Sequence, residues 1–234
     1  MSLIAANLQA VRTRINAALP AAIGASRSAV ALVAVSKTQS AENIREAFAA
    51  GQRAFGENYV QEALAKREAL ADLAIEWHFI GPVQSNKAQL IARHFDWVHG
   101  VERLKIAEIF SRNRLVSQPP LNVCVQVNVS GEGSKSGVRP NEAASLCGQV
   151  AVLPHLRLRG LMAIIENTSD PLAQGAQFRM LRELAARITA SGITLDTLSM
   201  GMSQDLESAV AEGATMVRIG TAIFGERASV RAAA

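Results

Sequence analysis

Residues 197–225 read TLSMGMSQDLESAVAEGATMVRIGTAIFG. Thr197 to Gly201 is a short apolar run closing on glycine, and Ser203 stands where a helix N-cap belongs, ahead of Leu206 and Val210. Gly213 ends that helix, and Met216 to Gly220 form a second apolar run. The stretch is one strand-helix-strand unit.

Outward from it, the same alternation reaches back to residue 30. The predicted strands are Val30 to Val35, Arg53 to Gly56, Trp77 to Ile80, Phe95 to His99, Leu121 to Val129, Leu158 to Ile164, Thr197 to Gly201 and Met216 to Gly220. Between them lie segments of helical period, such as the one that Ser40 caps and Gly51 ends, and Ala173 to Ala190 before Gly192. Ahead of them, Ile4, Leu8, Val11, Ile15 and Leu19 recur at helical spacing. Eight alternating units after one leading helix leave either a closed eight-stranded barrel or an open doubly wound sheet, and the number and shortness of the strands favour the barrel. The expectation is an α/β fold, a single (β/α)8 TIM barrel over residues 1–234, with an extra helix at 1–20 and a tail at 226–234. Gln118 to Pro120 is a single turn, so nothing reads as a linker.

Composition narrows the function classes. With 49% hydrophobic and 19% charged residues, the 234-residue chain can bury a substantial core. Lys plus Arg total 24 against 20 Asp plus Glu, scattered without a basic stripe, and aromatics are 4%. A nucleic-acid partner is therefore disfavoured, while a small anionic ligand suits the mild excess of bases. No run of 18 or more apolar residues suggests a membrane span. The segment Met1 to Ala41 lacks acidic residues and carries Arg12, Arg14 and Arg27, a bias shared with transit peptides. Its periodicity reads instead as a helix that packs on a core, and a cytoplasmic location is expected. Cys124 and Cys147 read as buried small hydrophobes. His78, His94, His99 and His155 fall in no metal-ligand spacing, so no metal is expected.

Barrel enzymes carry their chemistry at the C-terminal ends of the strands. Lys37 ends the run Val30-Ala-Leu-Val-Ala-Val-Ser-Lys and projects there; an amine near low-dielectric walls becomes a nucleophile toward aldehydes, the alternative being an exposed loop lysine. The segments after strands seven and eight place Gly201, Gly220, Ser199 and Thr221 where backbone and hydroxyl donors suit a phosphate, although glycine and serine also simply make tight turns. Arg218 lies within an apolar run, so its charge needs a partner or a ligand. Strand alternation points Arg218 to the same side as Gly220. An amine, a phosphate cup and a central arginine together suit pyridoxal phosphate.

Several motifs, in order, extend this reading: Ala34-Val-Ser-Lys37, Phe55-Gly-Glu-Asn-Tyr-Val-Gln-Glu62, His78-Phe-Ile-Gly-Pro-Val-Gln-Ser-Asn-Lys87, the loop Asn128 to Gly137, Gly160-Leu-Met162, Leu198-Ser-Met-Gly-Met-Ser203 and Arg218-Ile-Gly-Thr221. From about Ala31 to Gly225 the chain closely resembles the YggS/PROSC family of pyridoxal phosphate homeostasis proteins, whose fold is similar to the barrel domain of bacterial alanine racemases. The resemblance implies that Lys37 is the Schiff-base lysine and that Ser199, Gly220 and Thr221 surround the phosphate. It places Arg218 against the pyridine nitrogen, Asn58 near the ring, and Met200 among the cofactor-binding positions. It assigns no role to the Asn128 to Gly137 loop, with Glu132 and Lys135, which is a candidate cover for the barrel mouth.

The family members look like carriers or buffers of the cofactor, so the same is expected here, without evident catalysis and with pyridoxal phosphate-dependent enzymes as possible clients. An arginine at the pyridine nitrogen leaves that nitrogen unprotonated and weakens the electron sink, which argues against transaminases and decarboxylases. The alternative is an amino-acid racemase. That chemistry needs a second base opposite the lysine, and the single tyrosine, Tyr59, is expected to pack outward. A Schiff-base aldolase acting on sugar phosphates is a more remote alternative, resting on fold analogy. Without the second racemase domain, a monomer is the economical expectation.

Overall fold

Ile4, Leu8, Val11 and Ile15 are all buried on one face of α1 (Leu3–Ala17), whose N-terminus is capped by Ser2. The computed structural model describes residues 2–19, 29–133 and 135–225, so the predicted tail at 226–234 lies outside the described residues. After α1, strand and helix alternate: β1 (Ala31–Val35), α2 (Ala41–Ala49), β2 (Ala54–Glu57), α3 (Val60–Ala69), β3 (Glu76–Phe79), α4 (Ala88–His94), β4 (Trp97–Val101) and α5 (Leu104–Asn113). The second half continues with β5 (Leu121–Gln126), α6 (Pro140–Ala151), β6 (Leu156–Met162), α7 (Pro171–Ala190), β7 (Thr197–Ser199), α8 (Leu206–Ala211), β8 (Met216–Ile219) and α9 (Thr221–Phe224). Each strand pairs in parallel with the next, and β8 closes onto β1 with Val33 opposite Arg218. The barrel expectation holds.

Several boundaries move, each for a local reason. Phe95 is not the start of β4: its N–H donates to Ile91 O and closes α4, so the strand begins at Trp97. The β5 ladder ends at Gln126, because Asn128 and Val138 then hydrogen-bond across a loop that leaves the barrel. β7 stops at Ser199, and the turn that follows uses Gly201 at φ 97°, a conformation that favours glycine. Ser203 is not the α8 cap; Asp205 occupies that position, and the Ser203 hydroxyl instead accepts from the Ala222 N–H.

Strand alternation separates two interiors. Outward-facing residues such as Phe55, Phe79, Val98 and Leu161 pack under the helices. Inside the barrel a smaller apolar group, Val33, Trp97, Cys124, Met162 and Met216, surrounds the buried polar side chains His78, His99, Ser199 and Arg218. Burial pushes both cysteine thiols up to about 12, which keeps them protonated. Across the β8–β1 seam, α1 packs on α2, α8 and α9, with Asn7 Nδ2 donating to Ile223 O at 2.9 Å and Arg14 pairing with Glu207 at 2.7 Å. Among the described residues no helix is long and apolar enough to cross a membrane.

Gly148 sits inside α6, and a Cβ there would meet only Ile193 Cδ1, at an ordinary 3.8 Å. Gly148→Ala should therefore raise unfolding free energy by about 0.5–1 kcal/mol, by lowering the backbone entropy of the unfolded chain. Urea denaturation measures this, and a lower midpoint would show that α6 does not tolerate the methyl.

Candidate functional site

A cavity of about 530 Å3 opens where β1, β2, β6, β7 and β8 end. Lys37, Asn58, Arg218, Gly220 and Thr221 all line it. Two other positions predicted from sequence do not. Ser199 and Met200 are both fully buried: Ser199 faces the barrel interior, where its hydroxyl meets Arg218, and Met200 packs in the core between barrel and helices. The hydroxyl that lines the cavity after β7 belongs to Ser203. A larger groove, of about 720 Å3, lies between α7 and the opposite end of the barrel, but its lining is mostly alanine, leucine and threonine without a nucleophilic amine.

Lys37 is half-buried, and both neighbouring residues are pinned. On one side Ser36 is buried: its hydroxyl donates to Glu57 Oε1 at 2.6 Å and its carbonyl accepts from Lys66 Nζ at 2.7 Å. On the other side Thr38 takes a left-handed backbone conformation, φ 65°, which costs a β-branched residue energy. Its N–H donates to Glu62 Oε1 at 2.6 Å. Lys66 completes the clamp by donating to Glu57, at 2.8 Å, and to Glu62. Glu57 is fully buried, and burial raises its carboxyl above the ordinary range although Lys66 and Ser36 pull it down.

Next to this clamp, Asn58 Oδ1 is buried with no hydrogen-bond partner among the described residues. A buried acceptor left unpaired is costly, and a donor group on a ligand would relieve it. Across the cavity Arg218 is 5% exposed and held by two donations, NH1 to Ser199 Oγ at 2.7 Å and NH2 to Ala163 O at 3.0 Å. Burial lowers its guanidinium to about 10, with nearby Asp205 opposing the shift, so it remains cationic at neutral pH. Asp205 itself is raised by burial while its Oδ1 accepts from the Met202 N–H. The fourth side is the turn from Gly220 into α9, braced by Ser203.

The cavity is also lined by Lys135 of the loop read as a candidate cover for the mouth, by Ser203 and Asp205, to which the sequence reading gave no individual role at the site, and by the segment Ile164 to Thr168, which it missed. The Ser203 and Asp205 signals were present, two and four residues beyond Gly201. The Ile164 to Thr168 segment carries no motif, and only closure of the barrel brings it to the mouth.

A lysine just past β1, an arginine of β8 and the glycine turn after it thus meet at the mouth of a closed parallel (β/α)8 barrel. Residues 4–228 match the family model described as alanine racemase, N-terminal domain. The chain is 59% identical over 227 residues to the pyridoxal phosphate homeostasis protein of Pseudomonas aeruginosa, covering 97% of each, and 50% identical over 230 residues to that of Escherichia coli, covering 97% of this chain and 98% of the other. The chain therefore belongs to the pyridoxal phosphate homeostasis protein family. Among solved structures it is similar to PipY of Synechococcus elongatus with pyridoxal phosphate bound, at a TM-score of 0.83 and 40% identity, covering 95% of this chain and all of PipY.

Proposed function

We propose that this chain binds pyridoxal phosphate reversibly through Lys37 and holds it as a carrier or buffer in vitamin B6 and amino-acid homeostasis, as a cytoplasmic, single-domain monomer. The observation that carries the reading is the convergence of Lys37, Asn58, Arg218, Gly220 and Thr221 on one cavity. When bound, the cofactor supplies an aldehyde that condenses with an amine, releasing water. Lys37 Nζ is the amine, and the clamp around Ser36 and Thr38 limits where it reaches. Arg218 offers a cationic donor to the ring nitrogen. Asn58, with an Oδ1 unpartnered among the described residues, would lie beside the ring. Gly220 and Thr221, with Ser203 beside them, receive the phosphate.

Ser199 is reassigned in this reading from the phosphate to Arg218, whose guanidinium it fixes. Met200 packs in the core between barrel and helices and does not line the cavity. Tyr59 is 58% exposed and does not line the cavity, so it is a poor second base, and we favour a carrier over a racemase. Client enzymes that receive the cofactor are part of the proposal.

The test is an absorption spectrum with added pyridoxal phosphate, followed by borohydride reduction and peptide mapping. A reducible band with the adduct on Lys37, lost in Lys37→Ala, is the expected result. An adduct spread over surface lysines, or a spectrum unchanged by the substitution, would overturn it. Racemase activity on amino acids in the same sample would replace the carrier reading with the enzymatic one.

A further inference from the structure

Beneath Arg218 a file of polar side chains runs down the inside of the barrel. Arg218 NH1 donates to Ser199 Oγ at 2.7 Å, and Ser199 Oγ meets His99 Nδ1 at 2.7 Å. His99 Nε2 meets His78 Nδ1 at 2.9 Å, and His78 Nε2 meets Glu76 Oε1 at 2.8 Å. Glu76 opens β3 at the opposite end of the barrel, with its side chain half exposed. His78, His99 and Ser199 are fully buried. Four strands contribute to the file, and it joins the cavity floor to solvent on the far side.

The hydrogen count fixes its direction. A guanidinium only donates and an ionised carboxylate only accepts, so the two ends have opposite and unalterable roles. Between them, where each imidazole carries a single hydrogen, the serine and the two histidines hold one hydrogen apiece. With the arginine N–H, these supply one hydrogen for each of the four contacts. The Ser199 hydroxyl must then donate to His99 Nδ1, His99 Nε2–H to His78 Nδ1, and His78 Nε2–H to Glu76. Every donor points away from the cavity, and Ser199 Oγ keeps its lone pairs for Arg218. Reversal would make His99 donate to Ser199, which would then receive two donors and lose its own acceptor below.

The charges around the file favour this arrangement. His99, on β4, faces His78 from β3 and Arg218 from β8, and burial together with those neighbours holds its imidazole well below the usual range, hence neutral. His78 stacks on Trp97 at 5.4 Å between ring centres. Glu76 is held below its ordinary range by His78, with Arg159 of β6 also contributing, and Arg159 is paired with Asp196. Arg218 additionally faces Asp205 and the Cys124 thiol.

We propose that Glu76, through His78, His99 and Ser199, is a positioning residue for Arg218: the carboxylate at the far end of the barrel orients the whole file and thereby sets the guanidinium that meets the cofactor ring. This rests on the proposed function, because the ring is what Arg218 would grip. A polar filling of the barrel without directional order would need none of it.

Two measurements test the proposal, on the full chain. Nitrogen-15 spectra of histidine-labelled protein without cofactor should show both His78 and His99 as Nε2–H tautomers. In Glu76→Gln, whose amide both donates and accepts, His99 should become a mixture of tautomers, although the substitution is two side chains away. Affinity for pyridoxal phosphate should then weaken about fivefold or more, a typical coupling between linked sites. Glu76→Asp should restore a single tautomer and most of the affinity.

If the tautomers are mixed in the parent protein, or if Glu76→Gln leaves affinity within twofold while the parent binds normally, the positioning role is overturned and the carrier reading survives. If the parent fails to bind pyridoxal phosphate, the carrier reading falls and the role toward the ring falls with it, while the tautomers still report whether the file is ordered.

Discussion

Lys66→Met is expected to lower unfolding free energy by about 3–5 kcal/mol, because it leaves a buried carboxylate without its countercharge. Lys66 is 7% exposed, and its ammonium donates to Glu57, to Glu62 and to the Ser36 carbonyl. Methionine nearly preserves the volume, so the loss is electrostatic. Glu57 is already raised by burial with Lys66 in place. The folded state therefore holds a proton on Glu57 over a pH window in which the unfolded chain has released it, and stability falls as pH rises through that window. Without the ammonium the window extends upward, so the variant should regain stability on mild acidification. Adding Glu57→Gln should remove that dependence and recover much of the loss. Urea midpoints at mildly acidic and mildly alkaline pH decide the matter, and a single variant with the parent midpoint at both would refute the assignment. The same variant should slow adduct formation on Lys37, since it releases the restraint on both neighbouring residues.

Gly160→Ala should be of comparable severity, about 3 kcal/mol or more, for a steric reason. Gly160 lies in β6 opposite Thr197 of β7, where a Cβ would sit 1.7 Å from the Thr197 carbonyl oxygen. Backbone cannot yield as a flexible side chain does, so β7 must shift. Ser199 follows Thr197 by two residues, and its hydroxyl anchors Arg218. The variant should thus lose stability and cofactor affinity together. A soluble variant with unchanged thermal midpoint would show that the strands separate more easily than this packing implies.

The barrel was legible because each unit is local. Ser40 caps α2 and Gly51 follows it, and an apolar run of the right length precedes and follows most helices. Boundaries failed where tertiary pairing overrides local pattern: Arg157 and Arg159 disguise the first half of β6, and the apolar residues to Val129 prolong β5 on paper beyond its ladder. Lys37, Arg218, Gly220 and Thr221 were legible because they end the first and last strands. Ser199 lies beneath Arg218 rather than on the cavity wall, a difference of depth that strand alternation, which fixes only the facing side, does not show. The sequence did not link His78 with His99, since nothing in one dimension joins β3, β4, β7 and β8. Only closure does.

The seam between β8 and β1 also bears on how the molecule is made. Arg14 NH2 donates to Ser203 O at 3.1 Å, a contact across 189 residues, and Asn7 reaches Ile223 across 216. Such contacts form only after long loops have closed, so the steps that depend on them are slow compared with the local helices. The turns proposed to receive the phosphate stand on this seam, whereas Lys37 belongs to the first strand-helix unit. A refolding chain should therefore acquire secondary structure well before it can retain an anion at the end of β8. Cofactor capture, followed in time, becomes a clock for the last event of folding.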